Sequence, residues 1–158
     1  KLLSRDADYR KNPPLREETD RKAIEEAVCD GTIDCIVTDH APHSKEEKSD
    51  FLKAPNGIVG LETSLAAVLT GLYHTGKISL EKVIDIMAVK PREILGLPQE
   101  KIQKGARANI VLADLEKEWT VDPEKFKSKG RNTAFKGMKL RGRPVGTITD
   151  GKLRYMEK

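Results

Sequence analysis

The pattern of apolar residues changes character twice within the first forty positions. Apolar side chains recur at helical spacing between positions 23 and 28, which predicts an amphipathic helix over residues 19–29. Thr19 is the predicted N-cap of this helix and Gly31 its predicted stop. The next apolar run, "IDCIVTDH", is rich in β-branched residues on both faces, which predicts a strand over about residues 33–39. A helix followed by a strand that is covered on both sides indicates an α/β fold.

A long polar loop and three helices are predicted next. Residues 44–60 carry many charges and two glycines, as in a functional loop. Apolar stripes then predict helices over residues 61–75 and 79–87, the second with Ser79 as N-cap. A third helix is predicted to begin at Pro91 and to end at Gly96.

From about residue 105 the apolar period becomes two, which is typical of strands. The stretches "ANIVLADL" and "EWTVD" predict one strand each. The stretch "KLRGRPVGTITDGKLRYM" predicts two strands joined by a tight turn at Asp150 and Gly151. The sequence therefore predicts an α/β part over residues 1–100 and a small β domain over residues 101–158.

Composition narrows the functional classes. The chain of 158 residues is 37% hydrophobic and 34% charged. Positive and negative residues are interspersed, and the net charge is +4. Basic residues are scattered and only three Phe, three Tyr and one Trp are present for base stacking, so we expect no nucleic-acid partner. We expect no membrane association either, because no apolar run has the length of a membrane span.

The cysteines and the first residues bear on the location of the chain and on whether it is part of a longer protein. Cys29 and Cys35 lack a CxxC spacing and no signal peptide precedes them, so we expect reduced, structural thiols and a cytoplasmic location. The sequence starts "KLLSRDADYR" without Met, and we expect a piece of a longer protein. An ordinary N-terminus that has lost its first residues is the alternative.

The candidate chemistry lies where the predicted buried strand ends. Asp39 occupies the carboxyl end of that strand, which is where α/β folds place catalytic groups. Its carboxylate could bind a divalent metal or move a proton, with His40 and His43 as further donors. A structural role for Asp39, such as capping the next turn, stays open on spacing alone. The three histidines of the chain cannot by themselves complete a hydrolytic metal centre.

Several longer motifs resemble one enzyme family in their order along the chain. They are "NPPLR", "DGTIDCIVTDHAPHS", "APNGIVGLETSL", "KPREILGL", "KGARANIVLADL" and "NTAFKGMKLRGRPVGTITDGK". Together they resemble the bacterial long form of the dihydroorotases, in the amidohydrolase superfamily. The resemblance spans essentially the whole chain and corresponds to the C-terminal portion of such an enzyme.

The resemblance implies a fold and an activity. That family has a metal-dependent-hydrolase (β/α)8 TIM barrel and a small composite β-sandwich domain built from both chain ends. Residues 1–100 would then be the end of the barrel, with residues 33–39 as its last strand, and residues 101–158 would be part of the small β domain. The implied reaction is the reversible cyclisation of N-carbamoyl-L-aspartate to dihydroorotate in pyrimidine biosynthesis.

Site residues follow from the matched motifs. Asp39 corresponds to the aspartate that binds the metal and shuttles the proton, and His43 and Asn12 correspond to substrate-binding residues. Asn56 and Gly57 correspond to the loop whose backbone meets the substrate ring, although many relatives carry an aromatic residue where this chain has Asn56. The implied cofactor is zinc, as one or two ions whose other ligands lie upstream of this chain. We therefore expect the isolated chain to be inactive.

Partners and alternatives also follow from the resemblance. The N-terminal portion of the same enzyme is the expected partner, since the last barrel strand needs neighbours on both sides. A homodimer and a complex with aspartate transcarbamoylase are open. The alternatives are another cyclic-amide hydrolase, such as an allantoinase or hydantoinase, and a non-catalytic scaffold. We expect structural roles for His40 and for Arg16, which would anchor its own loop.

Overall fold

The computed structural model describes residues 5–99 and 101–157 of the chain and divides the chain into two compact units. The first unit contains the chain up to Ser64 together with Thr120–Lys139, and the second contains Leu65–Trp119 together with the chain from Leu140 onward. In this division the helices after residue 64 group with the β-sheet, and the predicted domain boundary near residue 100 stays a prediction. Among the described residues, none of the helices has the length and apolar character needed to span a bilayer.

The first unit contains one long helix, α1, over Glu18–Asp30. The predicted helix is confirmed, and so is its stop at Gly31, which has a left-handed φ of 89°. The predicted N-cap is wrong: Glu17 occupies that position, and its backbone N–H donates to Asp20 Oδ2 at 3.3 Å. Asp20 lies three residues after Glu17, which is the spacing at which a side chain reaches back to the cap.

Residues 34–39 have no regular secondary structure, and the predicted segment over residues 33–39 forms no strand ladder within the described residues. Its end makes one parallel bridge, between His40 and Ile58. This differs from the prediction of a sheet strand, because a strand exists only through hydrogen bonds to a neighbour and the described residues offer none along this segment. Val37 remains 71% exposed for the same reason. Cys29 and Cys35 are free thiols, as predicted.

The second unit contains helical runs with wide turns. Helix α2, Ser64–Val68, begins at the boundary between the units and continues into the π-helical turn Leu69–Tyr73. Helix α3, Leu80–Ile84, has Ser79 as its N-cap, which confirms that prediction.

A second π-helical turn, Asp85–Val89, joins α3 to helix α4 over Lys90–Ile94. The predicted break before Pro91 is therefore wrong. The Lys90 N–H donates to the carbonyl of Asp85, five residues back, so the helix is already widened where Pro91 enters it. Pro91 then lies in the first turn of α4, where a missing N–H is best tolerated.

The sheet of the second unit has three strands in the order β1–β2–β3, over Ile110–Thr120, Lys139–Thr149 and Lys152–Met156. Strands β2 and β3 are antiparallel, and the tight turn between them has positive φ at Asp150 (53°) and Gly151 (71°). The predicted hairpin is confirmed. The two strands predicted between residues 108 and 122 are instead one long strand, β1.

Polar contacts join the α2 region to the sheet. Thr70 Oγ1 accepts a hydrogen bond from the Arg141 N–H at 2.8 Å and donates to the Ala66 carbonyl at 2.6 Å. A Cβ at Gly142 would lie 2.4 Å from Leu69 Cδ1, so the backbone of β2 lies directly against this helical run. These contacts explain why the helices after residue 64 belong with the β-sheet.

We predict that Thr70→Val lowers the free energy of unfolding by about 1–2 kcal/mol, because the Arg141 N–H loses its acceptor. Thr75→Val is the matched control, since Thr75 is exposed and bonds only to the carbonyls of Gly71 and Leu72. The measurement is urea unfolding of both variants. Equal stabilities of the two variants would contradict the role given to Thr70.

Candidate active site

Asp39 is the last residue of the segment over residues 33–39. Its φ is 43°, a left-handed conformation that Asp adopts more readily than most residues. The residue is exposed in the described chain. Its carboxylate is therefore accessible to a ligand rather than used as a buried cap.

The residue before Asn12 is within electrostatic range of Asp39. Lys11 interacts with Asp39 through its charge: partial burial lowers the pKa of Lys11, and the Asp39 carboxylate acts in the opposite direction. Asn12 follows Lys11 directly and is exposed. The charge of Lys11 therefore links this segment to Asp39, and the place of Asn12 in the site stays a prediction.

His40 has a structural role, as predicted. Its Nδ1 accepts hydrogen bonds from the N–H groups of Gly60 (3.1 Å) and Leu61 (3.4 Å). A Cβ at Gly60 would lie 3.0 Å from the Thr38 carbonyl oxygen, so the two segments are in close contact here. His40 therefore fastens the segment around Asp39 to the end of the loop over residues 44–60.

His43 is bonded to the loop that contains Asn56. The His43 Nε2–H donates to the Asn56 carbonyl at 3.1 Å, and Nδ1 lies 3.9 Å from Glu47 Oε2. The imidazole is partly buried, with 21% of the side chain exposed. Two predicted substrate-binding elements, His43 and the Asn56 loop, are thus adjacent in the structure.

Arg10 holds the Asn56 loop from the other side. Its Nε donates to Asn56 Oδ1 at 3.2 Å, and its carbonyl accepts from the Gly57 N–H at 3.0 Å. Its Nη1 donates to the Phe51 carbonyl at 2.5 Å, and its guanidinium carbon lies 6.0 Å from the centre of the Phe51 ring. The Asn56 side chain thus serves as an acceptor for Arg10.

Gly57 has protein partners for both of its backbone polar groups. Its carbonyl accepts from Lys48 Nζ at 3.0 Å and from Asn132 Nδ2 at 3.2 Å. Lys48 also donates to the Pro55 carbonyl at 2.9 Å, and burial lowers the pKa of Lys48, with the Asp8 carboxylate acting in the opposite direction. Backbone contact between Gly57 and a substrate stays a prediction, since it would require exchange of one of these bonds.

Three residues of this network were missed from the sequence: Arg10, Lys48 and Asn132. Asn132 is 4% exposed and bonds to both the His43 segment and Gly57. The available signal was its position in the motif "NTAFKG", which contributed to the resemblance but was given no role. Arg10 and Lys48 had no local signal, because each acts on residues distant in sequence.

The donor set for a metal ion is incomplete in this part of the chain. Residues 5–99 and 101–157 contain no group of three or more His, Cys, Asp or Glu side chains that could hold an ion. Asp39 offers one accessible carboxylate, which fits a site only if other ligands come from outside these residues.

Comparison with known proteins decides the family. The profile of the amidohydrolase family matches residues 7–154, a range that includes every predicted site residue. The chain belongs to the amidohydrolase family. The family predicted from the motifs is therefore confirmed, and the exposed Asp39 and its neighbouring loops lie within the amidohydrolase region.

Relatives of this amidohydrolase chain include curated dihydroorotases. The chain is 52% identical to the dihydroorotase of Bacillus subtilis (strain 168) over 153 residues, which are 96% of this chain and 36% of that protein. It is 50% identical to the dihydroorotase of Geobacillus sp. (strain WCH70), with the same two coverages. The chain thus spans about a third of the length of the curated relatives it matches.

Solved structures of two hydantoinases have the same fold over this region. The L-hydantoinase (dihydropyrimidinase) of Arthrobacter aurescens matches with a TM-score of 0.87 at 33% identity, over 96% of this chain and 36% of that one. The D-hydantoinase of Bacillus sp. AR9 matches with a TM-score of 0.88 at 28% identity, over 96% and 35%. The fold of this amidohydrolase segment is therefore shared with these two hydantoinases.

We predict that Gly57→Ala lowers the free energy of unfolding by about 2–4 kcal/mol, combining backbone strain and overpacking. Gly57 has a φ of 120°, and a Cβ there would lie 2.4 Å from Ala41 Cβ. Gly71→Ala is the control, because it has no left-handed φ and no atom within 4 Å of the added carbon. Urea unfolding measures both, and an unchanged midpoint for Gly57→Ala would contradict the close packing.

Proposed function

We propose that this chain is the C-terminal portion of a dihydroorotase that interconverts N-carbamoyl-L-aspartate and dihydroorotate. One observation carries the proposal: the segment with Asp39 and His43 is hydrogen-bonded to the Asn56 loop. The identity of 52% to the Bacillus subtilis dihydroorotase supports this choice within the family.

The proposed place of the chain in the fold is the end of a (β/α)8 barrel and part of a composite β-sandwich domain. The segment over residues 33–39, in which Val37 is 71% exposed, suits a strand whose neighbours come from the rest of the enzyme. The three-stranded sheet of the second unit would supply part of the β domain.

Asp39 would carry the proton in the reaction. In hydrolysis, its carboxylate accepts a proton from the water that attacks the ring amide carbonyl, and then returns it to the leaving ring nitrogen. Ring closure reverses both transfers. The exposure of Asp39 supports this role, since its carboxylate is accessible to a ligand.

Substrate binding would fall to the side chains around Asp39. N-carbamoyl-L-aspartate carries two carboxylates, so its site requires hydrogen-bond donors and positive charge. Asn12 would donate to it, and His43 would do so in exchange for its bond to the Asn56 carbonyl. The Lys11 ammonium adds positive charge within electrostatic range of Asp39. The backbone of the loop with Asn56 and Gly57 would meet the substrate ring.

Zinc is the proposed cofactor, with Asp39 as the one ligand that this chain contributes. When bound, such an ion supplies Lewis-acid polarisation of the carbonyl under attack. The remaining ligands would come from the rest of the enzyme, because the described residues contain no cluster of three.

A second candidate function is the hydrolysis of another cyclic amide. It is favoured by the fold shared with the L-hydantoinase of Arthrobacter aurescens, at a TM-score of 0.87. The two candidates differ in the charge of the substrate, since dihydroorotate carries a carboxylate that a simple hydantoin lacks.

We predict that the complete enzyme hydrolyses dihydroorotate with a kcat/KM at least about a hundredfold above that for hydantoin, a discrimination typical of a site built to pair a polar substrate group. The isolated chain should hydrolyse neither substrate, even with added zinc. The measurement is absorbance of each ring during hydrolysis. Preference for hydantoin would favour the second candidate, and turnover by the isolated chain would contradict the divided site.

We predict that Asp39→Asn lowers kcat by about a thousandfold, because the amide cannot accept the proton. His43→Ala should instead raise KM about tenfold and change kcat less, as expected for lost binding. His74→Ala is the control histidine, whose Nε2–H donates to the Leu115 carbonyl. Near-normal kinetics of Asp39→Asn would refute the role of Asp39.

A further inference from the structure

Asn132 uses its whole side-chain amide in the loops around the candidate site. Its Oδ1 accepts from the His43 N–H at 3.0 Å, and its Nδ2 donates to the carbonyls of Ala41 (3.0 Å) and Gly57 (3.2 Å). Its own carbonyl accepts from the Val59 N–H at 2.9 Å. At 4% exposure, none of these bonds is readily replaced by water.

The chemistry of this position demands an uncharged primary amide. Only Asn and Gln offer one acceptor and two donors on a single planar group, and Gln is longer by one carbon. An aspartate would keep an acceptor for the His43 N–H but would direct a negative charge at two carbonyl oxygens. An alanine would leave the His43 N–H and the Ala41 carbonyl without these partners.

The backbone at Gly130, two residues before Asn132, leaves no room for a side chain. A Cβ at Gly130 would lie 2.8 Å from Pro42 Cβ and 2.9 Å from Asn132 Oδ1. Pro42 stands between the two residues, Ala41 and His43, that Asn132 binds. The segment with Asn132 is therefore seated directly on the segment that follows Asp39.

We propose that Asn132 is a positioning residue for substrate binding, which acts by holding His43 and the Asn56–Gly57 loop at a set separation. This inference rests on the proposed function. The His43 ring already bonds to the Asn56 carbonyl on one side. Asn132 joins the same two segments through the His43 N–H and the Gly57 carbonyl. The contact between His43 and Asn56 is therefore supported by a bond from Asn132 to each of the two segments.

The first test is steady-state kinetics of Asn132→Ala in the complete enzyme. We expect KM for dihydroorotate to rise about tenfold or more and kcat to fall less than about threefold, the pattern of lost binding. Thr133→Val is the matched control: Thr133 is 2% exposed, and its Oγ1 accepts locally from the Phe135 N–H at 3.2 Å. It should lose stability with KM unchanged.

The second test uses the pH dependence of Asn132→Asp. A carboxyl buried against two carbonyls has a raised pKa, and its protonated form regains one donor. As the pH is lowered from about 8 to about 6, the ratio of the KM of Asn132→Asp to that of the wild type should therefore fall. A ratio that is flat with pH, together with an unchanged KM for Asn132→Ala, would reduce Asn132 to a structural residue and overturn the proposal.

The third test separates this proposal from the proposed function. Hydrogen exchange in the complete protein should be faster at the His43 amide in Asn132→Ala than in Thr133→Val, whatever the activity. If the wild type does not hydrolyse dihydroorotate, the proposed function fails and positioning for that substrate fails with it, even with faster exchange. If the wild type is active and Asn132→Ala has normal exchange and normal KM, the positioning role alone is overturned.

Discussion

The candidate site depends on one constraint, the need of buried backbone groups in irregular segments for hydrogen-bond partners. The segments over residues 39–44 and 56–61 lie against each other with a single bridge, between His40 and Ile58. Side chains therefore supply the partners that a sheet would otherwise provide. Asn132 bonds to Ala41, His43 and Gly57, and His40 bonds to Gly60 and Leu61. Within the described residues, no buried side-chain nitrogen or oxygen is left without a partner.

The same constraint explains the two basic residues behind the loop. Arg10 and Lys48 each donate to carbonyl oxygens of the loop over residues 44–60. Burial of Lys48 removes water from its ammonium group, which lowers its pKa. Basic side chains used in this way make the surroundings of the loop positive while holding its shape. A loop that is to meet an anionic substrate benefits from both effects. Arg10 and Lys48 are thus used in hydrogen bonds that hold the loop, whereas Asn12 and Asp39 remain exposed.

Local sequence patterns predicted the elements whose stability is local. Helix α1 with its stop at Gly31, the Ser79 cap and the hairpin at Asp150 and Gly151 all follow from neighbouring residues. The errors occurred where the deciding contact is not evident from residue type: Glu17 replaces Thr19 as the cap of α1, and the helix continues through Pro91 by widening its preceding turn.

The sequence by itself determined the family and the candidate chemistry, because the ordered motifs match the amidohydrolases and single out Asp39, His43, Asn12, Asn56 and Gly57. Tertiary structure alone decided what holds them together. Asn132 lies 89 residues from His43 and 75 from Gly57, so no local period could reveal its bonds. Whether residues 33–39 form a strand is likewise decided by tertiary structure, since strand pairing depends on a neighbour. Residue types carry chemistry, whereas burial and hydrogen-bond partners arise only when distant segments meet.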